Sequence, residues 1–186
     1  MKTAEDKRIL IHMCCAPCAA PSGERLMLDG YEVVLFFSNS NIHPKEEYDK
    51  RLESARKLAE IWNVVIEEDL YDHDAWLREI KGLENEPEKG LRCEKCFRYN
   101  LKRSSDIADR LDIPAFATTL TVSPHKISKT IFRIGSEFPK FKPYDFKKKD
   151  GFLRSIQLTK EYDLFRQNYC GCEFSMRSSA TKQKGD

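Results

Sequence analysis

Apolar residues along this chain gather into short unbroken runs, separated by longer stretches with helical spacing. Arg8–Met13 reads as a buried strand, and Tyr31–Phe37 (YEVVLFF), rich in β-branched and aromatic residues, as a second. Val64–Glu68 and Ala115–Val122 (AFATTLTV) predict a third and a fourth. Between them, Ala19–Leu28 predicts a helix closed by Asp29-Gly30. Lys45–Ile61 carries Tyr48, Leu52, Ala55, Leu58 and Ala59 at helical spacing. Asp72 is placed to cap a helix reaching Leu83, and a long helix is expected over Arg92–Leu111. Ser123-Pro124 is expected to open another, with Ser as cap and Pro in the first turn. After Phe138 the pattern weakens. Residues 139–152 (PKFKPYDFKKKDGF) read as irregular, and a short helix is expected near Thr159–Gln167. The polar residues 1–8 and 177–186 read as frayed ends.

Strands alternating with helices imply βαβ units and a parallel sheet with helices on both faces, a doubly wound α/β fold. Its 186 residues suit one domain, with a core over 9–138, an extension over 139–176 and a tail. Ligands of such folds bind at the carboxyl ends of the strands. The loops at Cys14–Cys18, Ser38–Pro44 and Ser123–His125 follow strands and are expected to face one crevice.

Composition narrows the chemistry. The first apolar run is too short for a signal sequence, and no stretch approaches the roughly 20 apolar residues of a membrane span. The chain is therefore expected in the cytoplasm, away from membranes, where thiols stay reduced. Seven cysteines there point to metal binding or redox work rather than structural bridges. The net charge of +2 is uneven: residues 1–138 carry 21 Lys and Arg against 24 Asp and Glu, residues 139–186 carry 11 against 6. A basic end suits an anionic partner such as RNA, or is simply a solvated face. Phe138, Phe141, Tyr144, Phe146 and Phe152 interleave with Lys140, Lys142, Lys147, Lys148 and Lys149. That mixture fits stacking on unpaired bases with phosphate neutralisation, or a packed flap with a charged edge.

The cysteines form three groups: Cys14-Cys15-Ala-Pro-Cys18, Cys93-x-x-Cys96 and Cys170-Gly-Cys172. Four thiolates hold a cubane iron–sulfur cluster. Cys93 and Cys96, three apart in a first helical turn, project to one side. Cys14 and Cys15 converge in a strand-to-helix turn, where free N–H groups favour thiolates. A Cys₄ zinc site would use the same residues, but zinc usually pairs two C-x-x-C knuckles, and here one half is a doublet. Cys170 and Cys172 can bridge only through a bend that Gly171 permits, and such a strained bond is easily reduced. They read as a redox dithiol or as further ligands. Cys18 is open between a core residue and a ligand to a second metal. His43 and His125, on predicted crevice loops, are candidate proton donors, and Lys126 a phosphate contact. His12 reads as a core histidine and His73 as helix surface.

Taken together, HMCCAPC, LRCEKCFRYN, TTLTVSPHK and FKKKDG…YCGCEFS resemble the non-cobalamin epoxyqueuosine reductases (QueH), in order and over residues 9–176. The resemblance implies a Rossmann-like fold of the HUP type in which Cys14–Cys18 replaces an ATP loop. It also implies a [4Fe-4S] cluster on Cys14, Cys15, Cys93 and Cys96 and a redox-active disulfide between Cys170 and Cys172; Cys18 is left as the candidate ligand should an additional iron be present. The implied substrate is epoxyqueuosine at the wobble position of tRNA with a GUN anticodon. Its reduction to queuosine would draw electrons from a donor outside the chain. Ser123, His43, His125, Lys126 and Lys147–Lys149 are the matching candidates for substrate contacts. The rival readings are a zinc-stabilised RNA-binding module without catalysis and a cluster-dependent tRNA sulfurtransferase, which would need the ATP loop.

Overall fold

The computed structural model describes residues 7–176. Arg8–Met13 forms β1, and its side chains alternate between two cores. Ile9, Ile11 and Met13 face one side, with Val33, Leu35 and Phe37 of β2 (Glu32–Phe37). Leu10 faces the other, with Val34 and Phe36. Both strand faces are therefore apolar, as a parallel sheet covered on both sides requires. Helices α1 (Ala16–Leu28), α2 (Lys45–Trp62) and α6 (Gly151–Glu161) cover the first face. Helices α4 (Leu91–Arg110) and α5 (Ser128–Gly135) cover the second. The short α3 (His73–Glu79) is capped by Asp72, which accepts from the Ala75 N–H at 2.8 Å, and buries Trp76 beside α4.

With β3 (Ile66–Glu68) and β4 (Phe116–Thr118), the sheet order is β3-β2-β1-β4, all parallel. The chain steps outward from β1 to β3, then crosses back to place β4 on the other side of β1. The switch point thus falls between β1 and β4, where such sheets open a crevice. Among the described residues, no helix is long and apolar enough to cross a membrane.

Several expected boundaries move. Cys15 is the N-cap of α1, so Ala16–Cys18 are helical rather than loop, with Pro17 in the first turn, where its missing N–H costs nothing. The fourth strand is cut short. The Thr118 hydroxyl accepts from the Leu120 N–H at 3.3 Å and turns Thr119–Val122 into a 3₁₀ helix. Ser123 opens no helix. Its hydroxyl accepts from the His125 N–H at 3.3 Å, a local turn that competes with helix, and α5 starts five residues later. In the extension, Lys140 and Lys142 bracket Phe116 with backbone bonds of 2.9 and 2.8 Å, adding a one-residue parallel bridge beyond β4. The expected helix over 159–167 lies earlier, at α6, and ends where Asp163 takes a left-handed φ of 49°. Its first residue, Gly151, has to be glycine, because any Cβ there would stand 1.8 Å from the Phe146 carbonyl oxygen. The tail after 176 and the first six residues lie outside the described residues.

Asp69 locks the strand ends together. Ser38 Oγ donates to it at 2.6 Å, the Leu70 N–H at 2.9 Å, and the Arg103 guanidinium of α4 grips both carboxylate oxygens. Burial opposes its ionisation, but these donors outweigh that and hold the carboxyl below its ordinary value of 3.8. The stability this contributes is present above pH 3.8 and is lost as pH falls through the lower native value. Asp69→Asn should cost about 1.5 kcal/mol at neutral pH. Acid titrations followed by circular dichroism should show a flatter loss of stability below pH 4 in the variant, about where the wild type loses this contribution.

Candidate metal and redox centre

The crevice between β1 and β4 is lined by thiols. One sulfur each from Cys14, Cys15 and Cys18 lies within 4.8 Å of the others, with Cys14 Sγ and Cys15 Sγ 3.8 Å apart. The strand-to-helix turn makes this convergence. Cys14 directly follows β1, Cys15 caps α1, and Cys18 comes back to them from the first turn. Thr119, from the 3₁₀ turn, fixes Cys14: its hydroxyl accepts from the Cys14 N–H at 3.2 Å and stands 3.5 Å from the sulfur. Gln167 Nε2 donates to Cys15 Sγ at 2.9 Å, while its buried Oε1 has no partner among the described residues.

The three thiols hydrogen-bond one another, so their titrations are driven in opposite directions. Thiol donors from Cys15 and Cys18 push Cys14 well below the usual thiol range. The same bonds, with burial, push Cys15 up to about 12 and Cys18 well above its ordinary value.

Cys93 and Cys96 occupy the first turns of α4, as expected. The Lys89 N–H donates to Cys93 Sγ at 3.3 Å, and Asn100 and Trp76 lie against Cys96. Burial raises the pKa of both, most strongly at Cys96. Cys170 is exposed and Cys172 buried, and all seven cysteines are free thiols.

Two adjoining cavities join the groups. One, of about 360 Å³, is lined by Cys14, Cys18, Cys170, Gln167 and Ser123. The other, of about 70 Å³, is lined by Cys93, Cys170, Cys172 and Arg92. His125, Lys126 and Glu88 line both. Burial disfavours the charge on Lys126, yet the surrounding sulfurs of Cys170, Cys14, Cys18 and Cys15 outweigh it and raise its pKa.

Other candidates fall elsewhere. The loop after β2 does not line either cavity; it buttresses the cysteine pair. His43 N–H donates to the Gly171 carbonyl at 2.8 Å, and Tyr169 O–H donates to the His43 carbonyl at 2.6 Å. Lys148 and Lys149 line a separate groove of about 700 Å³ between α1 and the 143–157 segment, and Lys147 reaches the Lys126 carbonyl. The groove and the thiol cavity share the first turns of α6, since Phe152 and Ser155 face the latter. His12 is a fully buried core histidine between Thr118 Oγ1 at 2.9 Å and the Ser38 carbonyl at 3.1 Å. His73 is not plain helix surface; it is half-buried beside His43 and Glu173.

Thr119, Gln167 and Arg51 escaped the sequence reading. Arg51 is 1% exposed and donates to the Cys170 and Tyr169 carbonyls at 3.0 and 3.2 Å. Its signal was present: it falls on the apolar face of its helix, beside Leu52 and between Tyr48 and Ala55. Gln167 carried no such signal.

A parallel sheet with helices on both faces, whose switch point opens onto a group of thiols, is a HUP-like α/β fold with a cysteine-lined crevice. The profile described as "Epoxyqueuosine reductase QueH" matches residues 9–178. The chain belongs to the epoxyqueuosine reductase QueH family. A relative of that name from Streptococcus pyogenes serotype M1 is 39% identical over 181 residues, covering 91% of this chain and 70% of its own. The one from Thermotoga maritima is 32% identical, covering 90% of each. Among solved structures, the U34-tRNA thiolase NcsA from Methanococcus maripaludis, with its [4Fe-4S] cluster, matches with a TM-score of 0.60 at 13% identity. The match covers 96% of this chain and 66% of the thiolase, and it is a likeness of fold.

Proposed function

We propose that this chain reduces epoxyqueuosine to queuosine at the wobble position of tRNA. In this reading a [4Fe-4S] cluster sits on Cys14, Cys15, Cys93 and Cys96, and Cys170 and Cys172 form a second redox element. The observation that carries the reading is convergence: Cys170 lines both the cavity of Cys14 and Cys18 and that of Cys93. Family membership supplies the substrate.

The donor set fits such a cluster. Buried thiols of raised pKa become stable thiolates only beside compensating positive charge, which iron provides. The N-termini of α1 and α4, both aimed at the cysteines, and Lys126 add to that compensation. Cys18, beside Cys14 and Cys15, would offer a ligand to an additional iron.

When bound, the cluster passes single electrons and can present a Lewis-acidic iron to an oxygen. The chain's own residues account for the rest. Opening the epoxide to an alkene breaks two C–O bonds and releases the oxygen as water, consuming two electrons and two protons. The Cys170 and Cys172 thiols hold that complement, and closing their disulfide delivers it. A donor outside the chain then reopens the bridge. His125 and Lys126 place proton donors and positive charge at the shared edge of both cavities. The wobble base of a GUN anticodon lies in a single-stranded loop and can splay into the crevice. Lys148 and Lys149, beyond the first turns of α6, would meet the phosphates beside it.

The test is anaerobic iron and sulfide reconstitution, then assay on epoxyqueuosine-containing tRNA. A brown protein that forms queuosine is the expected result. A colourless, inactive zinc protein would return the chain to an RNA-binding role. Cys170→Ser and Cys172→Ser should keep the visible absorption and lose multiple turnover. Full turnover in both would remove the dithiol from the reaction.

A further inference from the structure

Outside the thiol cavities, three side chains from three parts of the chain meet. They are His43 from the loop after β2, His73 at the first position of α3, and Glu173, which directly follows Cys172. One ring nitrogen from each histidine and one carboxylate oxygen lie within 4.8 Å of one another. None of the three lines either thiol cavity.

The hydrogen bonds of His73 leave a mismatch. Its Nδ1 lies 2.8 Å from the Ser40 carbonyl oxygen. A carbonyl can only accept, so Nδ1 carries a hydrogen. In a neutral ring, Nε2 then presents a lone pair, and it faces Glu173 Oε1 at 3.2 Å. Two acceptors face each other, and a cation must lie between them, either a proton or a metal ion.

Two further observations favour the metal. The second carboxylate oxygen, Glu173 Oε2, is buried without a hydrogen-bond partner among the described residues. The His43 ring stacks on His73 with centroids 5.1 Å apart and a 28° interplanar angle, which brings a second nitrogen donor to the same point. An imidazolium at His73 would answer the first oxygen and leave both of these features without a role. The Nδ1–H bond to a carbonyl is also how proteins aim Nε2 of a histidine at a metal.

We infer that His43, His73 and Glu173 form a site for one divalent transition-metal ion of the zinc type. Two imidazoles and one carboxylate make a common zinc set that leaves a position for water. This site is distinct from the thiol centre and contains no sulfur. Because Glu173 adjoins Cys172, an ion there would tether the Cys170–Cys172 segment to the core. It would act beside the Arg51 bonds to Cys170 and Tyr169.

The experiment is anaerobic zinc titration by calorimetry, on protein whose thiol centre has first been filled with iron and sulfide. His73→Asn keeps a donor for the Ser40 carbonyl but removes the Nε2 ligand, and His43→Ala alters an exposed side chain. The wild type should bind one more zinc ion than either variant, with the visible absorption unchanged in all three. In Glu173→Gln the same ion should bind at least about tenfold more weakly. Cobalt used in place of zinc should give a spectrum without thiolate-to-metal bands. Equal zinc uptake by wild type and variants would overturn the site and leave His73 as a protonated partner of Glu173. Thiolate bands from the cobalt ion would overturn it too. Should His73→Asn fail to fold, His43→Ala decides the question.

Discussion

Cys93→Ser is expected to abolish both the brown absorption and epoxyqueuosine reduction while leaving the apo-protein folded. The sulfur is half-buried at the start of α4 and takes a hydrogen bond from the Lys89 N–H at 3.3 Å. It touches the edge of the core built on Phe97, Leu101 and Phe116. Losing that contact costs about 1 kcal/mol, which a domain of this size withstands. The loss of a cluster ligand is of another order. Serine binds iron poorly, and the three remaining thiols leave one of the four ligand positions of such a cluster unfilled. Bound iron should fall to background, and the far-ultraviolet dichroism of the apo-variant should match wild type. Cys18→Ser is the matched control. It should keep the cluster absorption and lose at most the additional iron. Full iron content in Cys93→Ser would overturn the four-cysteine assignment.

Arg51→Met is expected to destabilise the chain by about 3 kcal/mol and to uncouple the cysteine pair from the rest of the site. The guanidinium is almost fully buried. It pairs with Glu47 at 2.8 Å, donates to two carbonyls of the cysteine segment, and lies over the Tyr169 ring at 5.2 Å. Methionine fills the volume but leaves Glu47 and both carbonyls without their donor. The segment has little other freedom. Gly171 takes a φ of +134°, and a Cβ there would stand 3.1 Å from Arg51 Nη1 and 3.0 Å from Ile42. Arg51 therefore sets where Cys170 stands between the two cavities. Denaturant unfolding should show the stability loss. The visible absorption should persist while kcat falls, because Arg51 touches none of the four cysteines proposed to hold the cluster. Arg51→Lys should recover only part of either effect, since an ammonium cannot span both carbonyls and the Glu47 carboxylate as a planar fork does. Wild-type turnover in Arg51→Met would show that the segment is held by its other contacts.

How much of this was legible in the sequence depended on the range of the signal. The parallel α/β frame was visible because strand runs and helical spacing are local patterns, and β1, α2 and α4 fall within a residue or so of their expected ends. Two of the failures share one cause. Thr118 and Ser123 each divert the chain with a side-chain bond to a nearby backbone N–H, and that competes with a pattern drawn from hydrophobicity alone. The start of α6 is another matter: position 151 admits only glycine because of a carbonyl five residues away, which no periodicity records.

The site divides in the same way. The three cysteine groups and the family they resemble were determined by the sequence itself, because thiols at close spacing carry their chemistry wherever the chain places them. The sequence also placed Cys14 and Cys15 at a strand end, where α/β folds bind ligands. Only the tertiary structure decided how the groups meet. It brought Cys18 to Cys14 and Cys15 by extending α1 back to Ala16, and it set Cys170 against both cavities through Arg51, 119 positions away in the chain. It also moved His43 from the crevice to a cluster with His73 and Glu173. The physical reason is that the packing of the sheet and helices chooses the partners of a buried polar contact between distant residues: a place on an apolar face, as at Arg51, tells that a side chain is buried but not what it meets.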